Sequence, residues 1–463
     1  YRKLNAFDLF NVNLLLRTLK EKSYTPRIVN LTSTNKRSVG KLRTKNLASA
    51  FTKYSTRVFG LFQAFSGVKD GRKNPSVKLD SILSVLTLGI AIRTGSFLSI
   101  ENKIRNGIFK RLLRGTKLPS ADTITYALER VSEDDVRQIL DQITQKVRRN
   151  KAVSKDTIGG YQVTAIDGTG VFSTEIERFG KDAHPRGIHD KKDGKRYHEQ
   201  AISICRVGNI PLIYEMKRIP KGSCEITAAY ELVKELYKRQ GHFCDIIVAD
   251  ALYAKANFIN TVRKCHMDAI IRVKQENYEI IKDMNGLCKN REPDVVLKNV
   301  RPQKKAKGTY YDVKIWDIDG FTSWENVEEP LRCLKVEETI KIKQNGKTKT
   351  KTYITYFVTT CDKSVSAKTI WEIGHRRWDI EDSAFYDLKI NWHFDHIYTH
   401  NANATQVLWL LFAITYNVYR LFVNRNLRSE KYKRQPMKEL ASKILIDLTH
   451  ITITLKEIIR QVE

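Results

Sequence analysis

The side chains best suited to chemistry lie in one short segment, residues 374–389. It holds the carboxylate Glu381, with Arg377 four residues before it and Lys389 eight residues after it. At about 100° per residue on an α-helix, Arg377 lies roughly 40° from Glu381 and Lys389 roughly 80° away on the other side. All three can therefore face one groove, as expected where an acid site handles a polyanion. The alternative is a surface salt-bridge ladder, because Arg377 and Glu381 form an i,i+4 pair.

Two further acids each follow an apolar, strand-like run. Asp167 follows residues 161–166 and enters a Gly-Thr-Gly turn, while Asp250 follows residues 245–249 and is also a candidate helix N-cap. Two acids on neighbouring strands and Glu381 on a helix packed across them can hold two Mg²⁺ ions, with Mn²⁺ able to substitute. Two metal ions about 4 Å apart support phosphoryl transfer. We therefore predict that Asp167, Asp250 and Glu381 are catalytic metal ligands.

Composition points to a nucleic-acid partner. The 463 residues include 81 Lys and Arg against 51 Asp and Glu, a formal net charge of +30. A chain this basic is expected to bind DNA or RNA with salt-sensitive affinity, and the alternative is a merely basic surface. The seven Cys form no C-x-x-C pair, which argues against a disulfide framework or a zinc site. We expect a cytoplasmic protein without a membrane span, because the apolar run 407–423 contains Asn417 and Arg420 and is typical of a buried helix.

Residues 1–75 form the most basic region of the chain, with 16 Lys and Arg against three acids, a net +13. We interpret this region as DNA-binding, with a solvated basic tail as the alternative. Helical periodicity then predicts a helical domain over 76–155 and a helical C-terminal region over 401–463.

Between these regions, the pattern predicts a strand ending at Asp167, two further strands, a helix, a strand, a helix and a strand. This order is typical of a ribonuclease H-like core, here assigned to 156–275 and 361–400. Alternating runs around Asn345-Gly346 predict a β-rich insertion over 276–360. The fold class is therefore α/β, a ribonuclease H-like core with a β-rich insertion, flanked by helical regions.

Three motifs together carry a family resemblance. Asp167-Gly-Thr, Val248-Ala-Asp250-Ala-Leu-Tyr253 and Arg377-Trp-Asp-Ile-Glu381 with Leu388-Lys389 resemble the DDE transposases of bacterial insertion sequences, in the group with a Tyr-Arg-Glu-Lys signature. The resemblance covers roughly residues 80–420. Gly374 stands where that signature has Tyr, and Leu388 stands where it has Lys, one residue before Lys389. A π-bulge near Ser383-Ala384 would restore the register of Lys389.

The resemblance implies a cut-and-paste or related transposase. It would bind terminal inverted repeats of double-stranded DNA, free a 3′-OH end and join that end to target DNA, working as a homodimer in the bacterial cytoplasm at the nucleoid. Arg377 and Lys389 would clamp phosphates. Two rivals remain: a transposase-derived DNA-binding protein without catalysis, and a structure-specific nuclease on the same fold.

Several neighbours of the acids are further DNA-binding candidates. Tyr253 and Trp378 can stack on a flipped or unpaired base or belong to the core, His198 begins a strand near Asp167, and Arg376 adjoins Arg377. Glu225 resembles a motif in related transposases, but we favour a simpler explanation, an acid stabilised in the first turn of a helix.

Overall fold

The computed structural model describes residues 46–109, 113, 117–174, 184–185, 197–273, 277–301, 309–344, 347–427 and 435–449. Much of the predicted basic region 1–75, and the Asn345-Gly346 dipeptide, therefore lie outside the described residues. What is described is a mixed α/β fold built on one large sheet with helices on both faces.

Ten strands form the sheet in the part of the chain that the structure describes. They are β1 Val163–Thr174, β2 His184–Pro185, β3 Tyr197–Arg206, β4 Leu212–Arg218, β5 Ile246–Ala249, β6 Asp268–Val273, β7 Val295–Val300, β8 Thr309–Phe321, β9 Leu331–Gln344 and β10 Lys347–Thr359. Their order is β2-β3-β1-β5-β6-β10-β9-β8-β7, and β4 also pairs with β3. The pairs β1–β5 and β5–β6 are parallel, and the other pairs are antiparallel.

Eleven α-helices of eight or more residues stand in the described ranges. They are α1 Leu47–Tyr54, α2 Leu79–Ala91, α3 Phe97–Arg105, α4 Ala121–Leu128, α5 Glu133–Arg149, α6 Glu225–Gln240, α7 Ala256–Lys264, α8 Glu279–Cys288, α9 Ala367–Arg376, α10 Ala402–Leu421 and α11 Met437–Thr449. They pack against the sheet or against one another, and this encloses the central strands.

Strand β5 shows why its sequence is uniformly apolar. Its alternate side chains point to opposite faces of the sheet, and all four are buried. Ile246 and Val248 belong to the core that contains α10, whereas Ile247 and Ala249 belong to the core that contains α6 and α7. A strand covered by helices on both faces is expected to be a continuous hydrophobic run.

Helix α10 is the predicted buried helix, and burial confirms that interpretation. The span Ala402–Asn426 is long and apolar enough to cross a membrane, but 89% of its apolar window is buried inside the fold. Its polar residues bind neighbouring backbone. The Asn417 amide exchanges two hydrogen bonds with the backbone of Ile213 on β4, at 2.8 and 2.7 Å. Gln406 does the same at Arg218 and Met216. These amides satisfy backbone groups of β4 that no neighbouring strand reaches.

The described part of the basic region packs into the fold. Phe51 on α1 is fully buried and contacts the rings of Tyr419 and Phe422. The Leu47 N–H donates to Asp447 on α11 at 2.5 Å. Residues 46–68 therefore share a hydrophobic core with the C-terminal helices.

The β-rich part continues the central sheet. Strands β9 and β10 pair from Gln344 opposite Lys347 to Arg332 opposite Thr359. The other edge of β10 pairs with β6, where Tyr356 lies opposite Val273. One sheet thus runs from the strand that carries Asp167 to the far end of the insertion.

Candidate active site

Asp167 lies on β1, and Asp250 directly follows the neighbouring parallel strand β5. The pairing of β1 with β5 ends at Ala165 opposite Val248, and each Asp comes two residues later in the chain. Asp250 accepts a hydrogen bond from the Leu252 N–H at 2.7 Å and caps a short 3₁₀ turn. Asp250 therefore acts as an N-cap, as the alternative interpretation held, in addition to its predicted place in the active site.

The predicted end of the strand at Asp167 is wrong. Strand β1 continues to Thr174 because β3 pairs with it antiparallel, with Asp167 opposite Ser203. The Gly-Thr-Gly run that suggested a turn lies inside this pairing. Asp167 is consequently held in the middle of a strand, 8% exposed, where its backbone position is fixed on one side by β3.

The helix carrying Glu381 also differs from the prediction. The sequence predicts one helix that carries Glu381, but α9 ends at Arg376 and two π-helical segments follow, Ile380–Phe385 and Asp387–Asn391. A π turn closes by i→i+5 hydrogen bonds and so takes in one more residue than an α turn. The predicted π-bulge near Ser383 is thereby confirmed, and the extra residue shifts the register of Lys389.

Arg377 connects two of the predicted acids. Its guanidinium Nη1 donates to Glu381 Oε1 at 3.0 Å and lies 3.4 Å from Asp167 Oδ2. The Arg377 side chain is only 4% exposed. The predicted i,i+4 pair is therefore formed, but it is a largely buried link between helix and strand instead of a surface ladder.

The setting of Asp167 opposes its negative charge. Burial raises the pKa of Asp167 to about 8; the Arg377 guanidinium works against this rise, and the nearby carboxyls of Glu381 and Glu225 add to it. Clustered acids of this kind are typical of sites that bind cations.

The donor chemistry fits a hard divalent cation. Asp167 and Glu381 already share one cationic partner in Arg377, and carboxylate oxygens are the ligands that Mg²⁺ prefers. Asp250 follows β5, two residues after the Val248 that pairs with Ala165 on β1. Among the residues that the structure describes, no three His, Cys, Asp or Glu side chains are already arranged as a metal site.

Lys389 reaches the same strand. Its Nζ donates to Thr169 Oγ1 at 2.7 Å and to the Gly170 carbonyl at 2.8 Å, two and three residues beyond Asp167. Burial lowers the pKa of Lys389. The second predicted cation is thus held on β1, two to three residues beyond Asp167.

Glu225 lies beside Asp167, although our sequence interpretation favoured a simple first-turn helix acid. It is the first residue of α6, as the simpler explanation required, but its carboxylate also accepts from the Gly168 N–H at 3.1 Å and from the Tyr253 hydroxyl at 2.7 Å. Its resemblance to a motif in related transposases was the signal that could have identified it. Tyr253 is fully buried, so its ring lies in the core.

The remaining DNA-binding candidates have mixed surroundings. Arg376 is 6% exposed and donates to Asp379 at 2.6 Å, so its guanidinium is turned inward. His198 Nδ1 lies 2.6 Å from Ser173 Oγ. Trp378 is 38% exposed and carries the Arg377 guanidinium against its ring.

A cavity of about 230 Å³ opens beside Trp378. Its walls combine aromatic rings with one guanidinium and one carboxylate, supplied by Arg272, Tyr311, Glu338, Tyr353, Phe357 and Trp378 among others. Burial lowers the pKa of Arg272, and the charges of Glu338, Arg377 and Asp250 also act on it. The cavity therefore adjoins the acidic cluster.

Fold and site together define a mixed α/β protein in which Arg377 joins Asp167 on a central strand to Glu381. A family model described as the transposase DDE domain matches residues 158–418, more than half of the chain. The chain belongs to this transposase family, which confirms the resemblance read from the motifs. No curated protein matches the chain.

Proposed function

We propose that this protein is a DNA transposase that cleaves the ends of its element and joins the 3′-OH ends to target DNA by metal-dependent phosphoryl transfer. The observation that carries this proposal is the convergence of Asp167 and Glu381 on Arg377, with Asp250 in register on the next strand. This arrangement lies inside the matched transposase domain.

Strand order supports a ribonuclease H-like core. Taken from its outer edge, the sheet reads β4-β3-β1-β5-β6, with three antiparallel strands followed by two parallel ones. In this fold the third acid comes from a helix packed across the sheet, and here the segment after α9 brings Glu381 against β1. The β-rich strands β7–β10 then form the insertion that precedes this helix.

Asp167, Asp250 and Glu381 would hold the divalent ions, Mg²⁺ or Mn²⁺ and two of them by analogy with phosphoryl-transfer sites. When bound, such ions activate the attacking oxygen and stabilise the leaving one. Two cationic residues would bind the DNA backbone. Arg377 offers a planar fork that suits a phosphate, and Lys389 places a second positive charge along β1. Together they orient the backbone of the cleaved strand.

The DNA duplex would be held by regions around this site. The basic region 1–75 supplies non-specific and end-binding affinity, and Trp378 with its adjoining cavity suits an unpaired base. A homodimer on paired ends follows from the resemblance to insertion-sequence transposases, which join two ends in one reaction.

Replacing each acid tests this function. Asp167→Ala, Asp250→Ala and Glu381→Ala should each abolish Mg²⁺-dependent cleavage of repeat-end DNA while binding, measured by fluorescence anisotropy, stays close to wild type. The physical reason is that the carboxylates hold the ions but repel phosphates. Asp382→Ala, an exposed acid next to Glu381, is the matched control. Near-normal cleavage by one variant would remove that residue from the triad.

The same assay separates the two rivals. A transposase-derived binding protein would bind repeat ends without Mg²⁺-dependent cleavage by the wild-type chain. A structure-specific nuclease would cut branched DNA but would not join a pre-cleaved 3′-OH end to a plasmid. Joined products that depend on all three acids are the outcome expected here.

A further inference from the structure

Glu225 contacts strand β1 directly after Asp167 and the 3₁₀ turn that Asp250 caps. A single oxygen, Oε1, accepts from the Gly168 N–H at 3.1 Å and from the Tyr253 hydroxyl at 2.7 Å. Gly168 directly follows Asp167 on β1. Tyr253 ends the 3₁₀ turn that Asp250 caps, and its own N–H donates to the Asp250 carbonyl at 3.2 Å. The Glu225 carboxylate thus ties the backbone after one Asp to the turn after the other.

Gly168 is required for this contact because of space, not because of its backbone angles. A Cβ atom built on Gly168 would lie 2.3 Å from the Glu225 Cδ and Oε2 atoms, well inside the van der Waals limit. Any other residue at this position would push the carboxylate away from the strand. The Gly of the Asp-Gly-Thr motif and Glu225 therefore form one packed unit.

We propose that Glu225 is a positioning residue that sets the spacing of Asp167 and Asp250 for ion binding. The inference rests on the proposed function, in which these acids hold divalent cations. Glu225 acts through hydrogen-bond acceptance, since its bound oxygen faces a backbone N–H and a hydroxyl. Groups that hydrogen-bond to metal ligands typically change metal affinity or activity by about 10–100-fold when removed, and Glu225 acts on the residues that directly follow the two Asp ligands.

The test compares Glu225→Ala with Glu225→Gln. Calorimetric titration of Mn²⁺ into the full chain without DNA gives ion affinity, and Mg²⁺-dependent cleavage gives activity. We expect Glu225→Ala to weaken Mn²⁺ binding by about 10–100-fold, whereas Glu225→Gln keeps an acceptor oxygen and stays within about threefold of wild type. Tyr230→Phe is the matched control, because it removes one hydroxyl hydrogen bond from the same helix, that to Thr227, away from the site.

Two further variants keep the proposal testable if Glu225→Ala fails to fold. Tyr253→Phe deletes one of the two donors and should give a smaller loss of Mn²⁺ affinity of the same kind. Gly168→Ala should weaken Mn²⁺ binding alone but add little to Glu225→Ala, because the atoms that its Cβ meets are then absent. Full additivity of these two substitutions would count against a packed unit.

Other outcomes overturn the proposal. If Glu225→Gln binds Mn²⁺ as weakly as Glu225→Ala does, the charged carboxylate of Glu225 itself contacts the ion. If Glu225→Ala lowers thermal stability but leaves Mn²⁺ affinity unchanged, its role is only structural. A wild-type chain that binds Mn²⁺ through Asp167 without cutting repeat ends would refute the proposed transposition chemistry while the Mn²⁺ comparison still decides the role of Glu225. Mn²⁺ binding unaffected by Asp167→Ala would refute both.

Discussion

At the residue scale, Asp167 is a carboxyl whose surroundings disfavour its ionised form. Its pKa is raised to about 8 in the fold by burial, against about 3.9 for an unfolded Asp. Between these values the ion-free folded state keeps a proton that the unfolded state has released. The contribution of Asp167 to stability is therefore complete below about pH 4 and is lost as pH rises toward 8.

Asp167→Asn should remove this pH dependence, because an amide does not ionise. In EDTA, the melting temperature of Asp167→Asn minus that of wild type should increase from pH 5 to pH 8. Added Mg²⁺ should shrink the difference by stabilising the ionised wild-type carboxylate. Differential scanning fluorimetry over this pH range measures both effects, with Asp382→Asn as the exposed-acid control. A difference that does not vary with pH would contradict the raised pKa.

Arg377 offers a second residue-scale prediction. Arg377→Lys keeps the charge but loses the planar fork that can bridge two carboxylates or a phosphate. We expect the rate of end joining to fall at least about tenfold, the cost of one charge-assisted hydrogen bond. Lys368→Ala, which breaks an exposed i,i+4 pair with Glu372 on the preceding helix, should leave joining unchanged. A loss of thermal stability alone in Arg377→Lys would support a purely structural salt bridge.

At the element scale, the π-helical stretch after α9 sets which side chains face β1. Leu388 is fully buried while Lys389 reaches Thr169, and both positions depend on the extra residue per turn. Deleting Asp382 would rotate everything after it by about 100°. Lys389 would then be turned away from β1, and Leu388 would leave the core.

We therefore expect deletion of Asp382 to reduce joining on the order of 10²-fold, the cost of a misplaced catalytic group. Asp382→Ala keeps the register and should retain activity close to wild type. Strand-transfer assays on pre-cleaved ends compare the two, with circular dichroism to follow folding. Wild-type activity in a folded deletion variant would mean that the π register does not matter for Lys389.

The sequence was sufficient for elements whose signal is local. A few neighbouring residues are enough to predict the apolar strand β5 that precedes Asp250. The same is true of α10, whose polar residues indicate a buried helix and not a membrane span. Contacts between residues far apart in the chain could not be predicted from the sequence. The motif resemblance around Glu225 does not indicate that α6 begins against Gly168. No local pattern indicates that Arg376 turns to Asp379 while its neighbour Arg377 turns to Asp167 and Glu381. The continuation of β1 past Asp167 depends on β3, which follows more than twenty residues later.

At the scale of the whole molecule, the basic N-terminal region divides into two parts with different roles. Residues 1–45 carry 11 Lys and Arg against two acids, whereas residues 46–68 supply core side chains such as Phe51, Leu61 and Phe65. Losing one buried Phe side chain costs about 3–5 kcal/mol. Deleting residues 1–45 therefore tests DNA binding, and deleting residues 1–75 mainly tests folding.

Deletion of residues 1–45 should leave a folded chain with weaker binding to repeat ends. The slope of log K against log salt should fall by about 0.9 for each DNA phosphate that the shortened chain no longer neutralises. Deletion of residues 1–75 should instead lower the melting temperature sharply or abolish folding. Anisotropy across a salt series and thermal unfolding distinguish the two cases. An unchanged slope in the shorter deletion would place end recognition in another part of the chain.

The pairing of β10 with β6 has a consequence for how this molecule can be taken apart. Strand β10 belongs to the predicted insertion 276–360, yet its last four residues, 356–359, complete the central sheet beside β6. Excising the insertion would strip β6 of its partner and leave a row of open backbone groups. Bare edges of that kind recruit strands from other chains and drive aggregation. Shortened versions of this protein should therefore keep β10 in place and remove only the outer hairpins, or they will precipitate before any reaction can be measured.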